Sequence, residues 1–193
     1  MARRTQAQME ETRELLLTTA REHFSRLGFT AASMDEIAAS VDLTRGALYH
    51  HFGDKKGLFT AVVEEIDNEM NGRLQKISAN STDLWNNFRL RCHAYLEMAL
   101  ESDYQQIILR DAKSVVAEDL AKSNLKCTEQ VDILLQELMS KKIIGNVNTR
   151  ALAFLINGGL AESAYWISQA NSQERLHQSI QAIDKILNGL LEN

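Results

Sequence analysis

Between positions 44 and 55 the chain gathers side chains suited to an anionic surface that presents hydrogen-bonding edges: Thr44, Arg45, Tyr49, His50, His51 and Lys55. Arginine brings a rigid fork of donors, tyrosine and histidine bring directional polar groups, and lysine brings a point charge. These are the groups that meet base edges and phosphate oxygens of nucleic acid. Gly46 and Ala47, lying between them, carry almost no side chain. A glycine inside a helix costs about 0.5–1 kcal/mol against alanine, and a close backbone approach to DNA would account for it. Lys55 follows a capped helix start, where free amides and a cation together suit a phosphate.

The elements that position these residues are legible in the capping pattern. Ser33 opens a capping box with Glu36, starting a short helix with Met34, Ile37, Ala38 and Val41 turned inward. Asp42 and Leu43 form a turn, and Thr44 is the N-cap of a third helix that ends near Phe52 and Gly53. Ile37, Val41, Leu48 and Phe52 close a core between the two short helices. Upstream, a helix over about 10–27 places Leu16, Ala20, Phe24 and Leu27 on one face and stops at Gly28. Downstream, Asp54 caps a longer helix with the stripe Phe59, Val62, Val63, Ile66, Met70, Leu74 and Ile77. An ordinary helical hairpin with a solvated face is the bland alternative; the polar spacing favours a DNA-binding helix-turn-helix.

Helical periodicity continues to the end of the chain, with no proline to break it and no period-two segment. The expectation is an all-α protein of about nine helices: a three-helix head over residues 1–55 and a larger helical body over 56–193. Residues 1–9 read as a polar arm and residues 78–83 as a link. Body helices are expected over 83–101, 103–121, 123–140, 148–170 and 173–191, with the clearest internal stop at Ile144, Gly145 and Asn146.

Net charge is −5, yet its distribution leaves room for nucleic acid. Residues 1–60 hold eight basic and eight acidic groups, so the surplus of acid lies in the body, which DNA would repel. No run is apolar enough to span a membrane, and Arg3 and Arg4 precede no apolar signal segment. Cys92 and Cys127 lack metal or redox spacing, which suits reduced thiols in a cytoplasmic protein. Glu174 and His177 make a single Glu-x-x-His step where a di-iron bundle needs two, so no metal or cofactor is expected. No nucleophile–base pair or cofactor loop is present, which argues against an enzyme.

The run Leu43-Thr44-Arg45-Gly46-Ala47-Leu48-Tyr49, with Ile37-Ala38 before it and His51-Phe52, Lys55 and Leu58-Phe59 after it, resembles the TetR family of repressors. The resemblance is close over about residues 10–60 and rests on length and helix order beyond. It implies that Arg45, Gly46, Ala47 and Tyr49 face the DNA groove. It implies phosphate contacts from Ser33, Thr44, Tyr49, His50, His51 and Lys55. Asp42 departs from the glycine or small residue usual in that turn, and His50 replaces a more usual aromatic residue. The implied function is a dimeric repressor released from a palindromic operator by a small-molecule effector. A helical small-molecule-binding protein or enzyme with an incidental head is the alternative.

Two further surfaces are expected in the body. Trp85, Phe88, Cys92 and Tyr95 line one helix face and Tyr104, Ile108 and Asp111 the next, and the resemblance implies that some surround an effector cavity. Asp111 is anomalous in its apolar stripe: its carboxylate needs an internal partner or a ligand group. The last two helices carry Leu155, Gly158, Gly159, Trp166, Ile180, Ile183 and Leu187, more apolar surface than one packing partner explains. Two such helices from each of two subunits would form a four-helix bundle.

Overall fold

The computed structural model describes residues 6–79 and 82–192, so the first five residues of the polar arm and residues 80 and 81 of the link lie outside the described residues. Every regular element described is helical. In chain order these are α1 (Gln6–Ala31), α2 (Met34–Ala39), α3 (Arg45–Phe52), α4 (Lys55–Ala79) and α5 (Leu84–Glu97). A 3₁₀ turn (Met98–Leu100) and a π-helical segment (Tyr104–Asp111) follow, then α6 (Ala112–Val115), α7 (Ala117–Ser140), α8 (Thr149–Gln169) and α9 (Ser172–Asn188). The chain divides into two compact units: residues 1–67 with 102–117, and residues 68–101 with 118–193. The first unit takes in the start of α4 and the π segment as well as the head helices.

In the first unit, α1 is interrupted where the sequence puts its glycine. Gly28 adopts φ 73° and ψ 167°, a conformation open essentially to glycine alone. A Cβ there would also crowd Gln106 Nε2 at 3.0 Å and Asp111 Oδ2 at 3.3 Å. Phe24, Phe29 and Phe59 meet edge to face or stacked, with centroids 5.0–6.1 Å apart, and Phe24 and Phe59 are wholly buried. Leu16, Ala20, Ile37, Leu48, Leu58 and Val62 complete this core. The π segment packs on α1.

In the second unit, α5 packs on α8 and α9 around Leu96, Ala153, Ala164, Ile167 and Leu187. Helix α7 ends at Ser140 and the chain turns through Lys142 at φ 57°. Asn148 then caps α8, its Oδ1 accepting from the Ala151 amide at 2.9 Å. Ile144 bridges antiparallel to Leu191, pinning the C-terminal residues to this turn.

One expected boundary is corrected. A single helix over 103–121 is replaced by the π segment, α6 and a break at Val116 (φ −133°, ψ 43°), after which α7 runs unbroken to Ser140. No glycine or proline marks the break. Burial of Val116 favours it, and Glu118 and Asp119 sit in the new first turn, where carboxylates complement the helix dipole.

Candidate functional site

Helices α2 and α3 form the helix-turn-helix. The Ser33 hydroxyl accepts from the Glu36 amide at 3.5 Å, and Thr44 Oγ1 accepts from the Ala47 amide at 3.3 Å. The turn between them passes through Asp42 at φ 53°, so an aspartate holds a left-handed position that glycine takes without strain. Thr44, not Asp42, caps the recognition helix. Ile37 and Leu48 are fully buried between the helices, whereas Val41 and Phe52 are half-buried.

The polar face of α3 is open. Thr44, Arg45, Gly46 and His50 are exposed, and Ala47, Tyr49 and His51 half-exposed. Arg45 is already organised: Nη2 donates to Tyr49 Oη at 2.9 Å and Nη1 to Asp35 Oδ2 at 3.1 Å, with the guanidinium 5.1 Å from the Tyr49 ring centroid. The Tyr49 hydroxyl first, then the Asp35 carboxylate, hold its pKa above the ordinary arginine value. Asp35 lies ten positions upstream of Arg45 on the other helix, so no spacing within one helix pairs the two. Gly46 has no internal reason to be glycine, since a Cβ would meet only Thr44 Oγ1 at 3.9 Å.

Lys55 also has contacts within the head: its ammonium donates to the Thr30 carbonyl at 3.0 Å and lies 4.8 Å from the Phe29 ring. Gly57 was not singled out from the sequence and is the more constrained position. A Cβ there would fall 2.1 Å from the Phe52 carbonyl oxygen, so only glycine lets α4 start directly beneath the end of α3. The available signal was a glycine three residues past the Asp54 cap, whose Oδ1 accepts from the Gly57 amide at 2.7 Å.

The two stripes proposed for an effector cavity fall in different compact units. Tyr104, Ile108 and Asp111 belong to the first unit, where Tyr104 and Ile108 are buried. Asp111 Oδ2 accepts from the Phe29 amide at 2.7 Å and from Gln106 Nε2 at 3.1 Å, so of the two expectations for this carboxylate the fold supplies internal partners. One partner is a backbone amide freed by the Gly28 break, a donor that no side-chain pattern displays. In the second unit, Phe88, Cys92 and Tyr95 line a narrow cavity with Leu74, Arg91, Cys127, Val131, Asn157 and Leu160. Trp85 stands half-buried beside Phe88, ring centroids 6.3 Å apart. Burial pushes the Cys92 thiol up to about 12, leaving it a neutral apolar group at ordinary pH.

Along α8 and α9 runs an open apolar groove of about 530 Å³, lined among others by Leu152, Leu155, Gly159, Trp166, Ile183 and Ile186. Leu155 is 74% exposed, and Phe154 and Ile186 more than half exposed. Gly158 and Gly159 face open space, and Ile180 is half-buried. Leu187 is corrected: fully buried, it belongs to the chain's own core because it faces inward on α9. Among the described residues no helix is long and apolar enough to cross a membrane, and no three His, Cys, Asp or Glu side chains converge to hold a metal ion.

A family model described as "Bacterial regulatory proteins, tetR family" matches residues 16–62, and one described as "Tetracyclin repressor-like, C-terminal domain" matches residues 85–190. A crystal structure of a TetR-family transcriptional regulator from Pectobacterium atrosepticum superposes with a TM-score of 0.88 at 50% identity, covering 98% of this chain and 99% of that one. The transcriptional regulator AcrR of Shigella flexneri is 44% identical over 64 residues, 33% of this chain and 30% of its own length. The chain therefore spans about a third of that regulator. The Tn10 TetC protein of Escherichia coli is 27% identical over 161 residues, 79% of this chain and 78% of that protein.

Proposed function

The chain belongs to the TetR family of bacterial regulatory proteins and is a DNA-binding transcriptional regulator rather than an enzyme, and on that premise we propose that it represses transcription as a homodimer on a palindromic operator. The observation that carries the reading is the exposed face of α3, where Arg45 is held ready by Tyr49 and Asp35 beside a glycine that nothing inside the protein requires. Arg45, Gly46, Ala47 and Tyr49 read the major groove. Ser33, Thr44, His50 and His51 approach phosphates, joined by the donors of Lys55 that Thr30 leaves over. Residues 1–55 supply this contact, and residues 56–193 supply dimerisation and effector binding.

Dimerisation is assigned to the α8–α9 groove, since a monomer would leave Leu155, Phe154 and Ile186 in water. A small molecule entering the body lowers operator affinity, and a cytoplasmic address follows from work on chromosomal DNA. The test is selection of bound duplexes from a random pool. Recovery of an inverted repeat whose preference at one position per half-site disappears in Arg45→Ala supports the reading, and recovery of no common sequence refutes it.

A further inference from the structure

Arg91 lies on the inner face of α5 with only 6% of its surface exposed. Its hydrogen-bond partner is the neutral Gln130 side-chain oxygen, 3.1 Å from Nη2, and no carboxylate among the described residues pairs with it. Asp184, the acid on α9 that faces α5, is engaged by His93 Nε2 at 2.7 Å and Arg89 Nη1 at 3.3 Å. Asp132 on α7 is two positions from Gln130, about 200° around the helix, and its Oδ1 is buried without a partner. A desolvated guanidinium with one neutral acceptor is an uncompensated cost, because buried charges are ordinarily paired. Burial accordingly lowers the Arg91 pKa from its ordinary value.

Arg91 also lines the cavity of the second unit, whose walls are otherwise mostly apolar: Leu74, Phe88, Val131 and Leu160. Cys92 and Cys127 flank it without supplying an anion, since the Cys92 thiol stays protonated and Cys127 Sγ donates to Asn71 Oδ1 at 3.8 Å. The Asn157 amide nitrogen is committed to Thr128 Oγ1 at 3.0 Å. The free space is about 20 Å³, enough for one water.

We propose that Arg91 is the anchor for the carboxylate of an organic monoacid whose apolar body occupies this cavity. The inference rests on the effector reading above and names its ligand class. A free acid group meets the unpaired cation, and the apolar walls meet the rest of the molecule. Because the space has room for no more than a water, the acid enters as α5, α7 and α8 part. Its binding therefore favours an opened body over the closed one, the differential affinity that a switch requires.

The probes are acetate, octanoate and dodecanoate, with octanol and octylamine as controls of matched apolar body, added to the full-length protein. Thermal shift and calorimetry read binding, and release of a fluorescent operator duplex reads the switch. An alkanoate longer than acetate should raise Tm where octanol and octylamine do not. Arg91→Met should lose about tenfold to hundredfold of that affinity while remaining folded, with Arg91→Lys intermediate. The acid against alcohol contrast on the parent protein needs no variant, so a misfolded Arg91→Met leaves the test intact. Equal response to acid and alcohol, an undiminished response in Arg91→Met, or no response to any alkanoate overturns the Arg91 site. Binding of an alkanoate through Arg91 without operator release upholds the site and overturns the effector reading.

Discussion

The Asp111 carboxylate closes on the Phe29 amide at 2.7 Å, one residue past the point where Gly28 breaks α1. Breaking a helix frees amides that must find acceptors, and a buried or half-buried one left unmet is costly. A carboxylate oxygen is a stronger acceptor for such an amide than a neutral oxygen. Asp111→Ala should lower stability by about 1–3 kcal/mol. Asp111→Asn should cost less, since an amide oxygen still accepts. Chemical denaturation of both variants checks the order, and an Asp111→Ala midpoint equal to the parent's would remove the contact from any structural role.

Arg45 and Asp35 divide affinity from discrimination. Arg45→Ala should cost about 1–3 kcal/mol of operator binding and relax one base position per half-site. Asp35→Asn removes a negative charge close to the DNA, so affinity for random duplex should rise or hold. Its discrimination should fall, because the guanidinium loses a fixed partner. Competition titrations against selected and random duplexes separate the two effects. An unchanged specificity ratio in Asp35→Asn would show that Tyr49 alone orders Arg45.

Two glycines eleven positions apart, Gly46 and Gly57, should respond oppositely to the same change. Gly46→Ala meets no clash and gains helix propensity, so stability should rise by about 0.5–1 kcal/mol while operator affinity falls. Gly57→Ala drives a Cβ into the Phe52 carbonyl, and the head should lose about 1–3 kcal/mol or fail to fold. Melting curves and operator titrations on both variants decide it, and a Gly46→Ala protein that binds as tightly as the parent would dissociate that glycine from DNA approach.

Lys55→Ala should weaken all duplexes alike and flatten the salt dependence by about one phosphate contact. It should also lose a small amount of stability, because the Thr30 carbonyl and Phe29 ring lose their cation. An unaltered salt slope accompanied by the stability loss would assign Lys55 wholly to the head's interior.

Gly159→Trp tests the groove between α8 and α9. Within one subunit the position faces open space, so the variant should keep its helical content and melt cooperatively. Sedimentation should show it monomeric at concentrations where the parent is a dimer. A dimeric Gly159→Trp protein would place the subunit contact elsewhere.

Local chemistry carried the head. Ser33, Thr44 and Asp54 cap helices because their side-chain oxygens satisfy amides three residues on, and Gly28 breaks α1 because its dihedrals suit glycine alone; both are events within a few residues, readable in order along the chain. The polar face of α3 was equally plain, since Leu48 and Ile37 claim the inward positions and leave Arg45, Tyr49 and His50 outside. Tertiary structure alone decided where α7 begins, because a break at Val116 with no glycine or proline is set by what that side chain packs against. It turned Leu187 inward and left Ile186 out, a matter of which way α9 rotates on its neighbours. It gave Asp111 a backbone amide, engaged Lys55 with Thr30, and left Arg91 buried without a counter-charge. Each of these depends on a partner distant in sequence, and side-chain periodicity says which face is buried but not what it meets there.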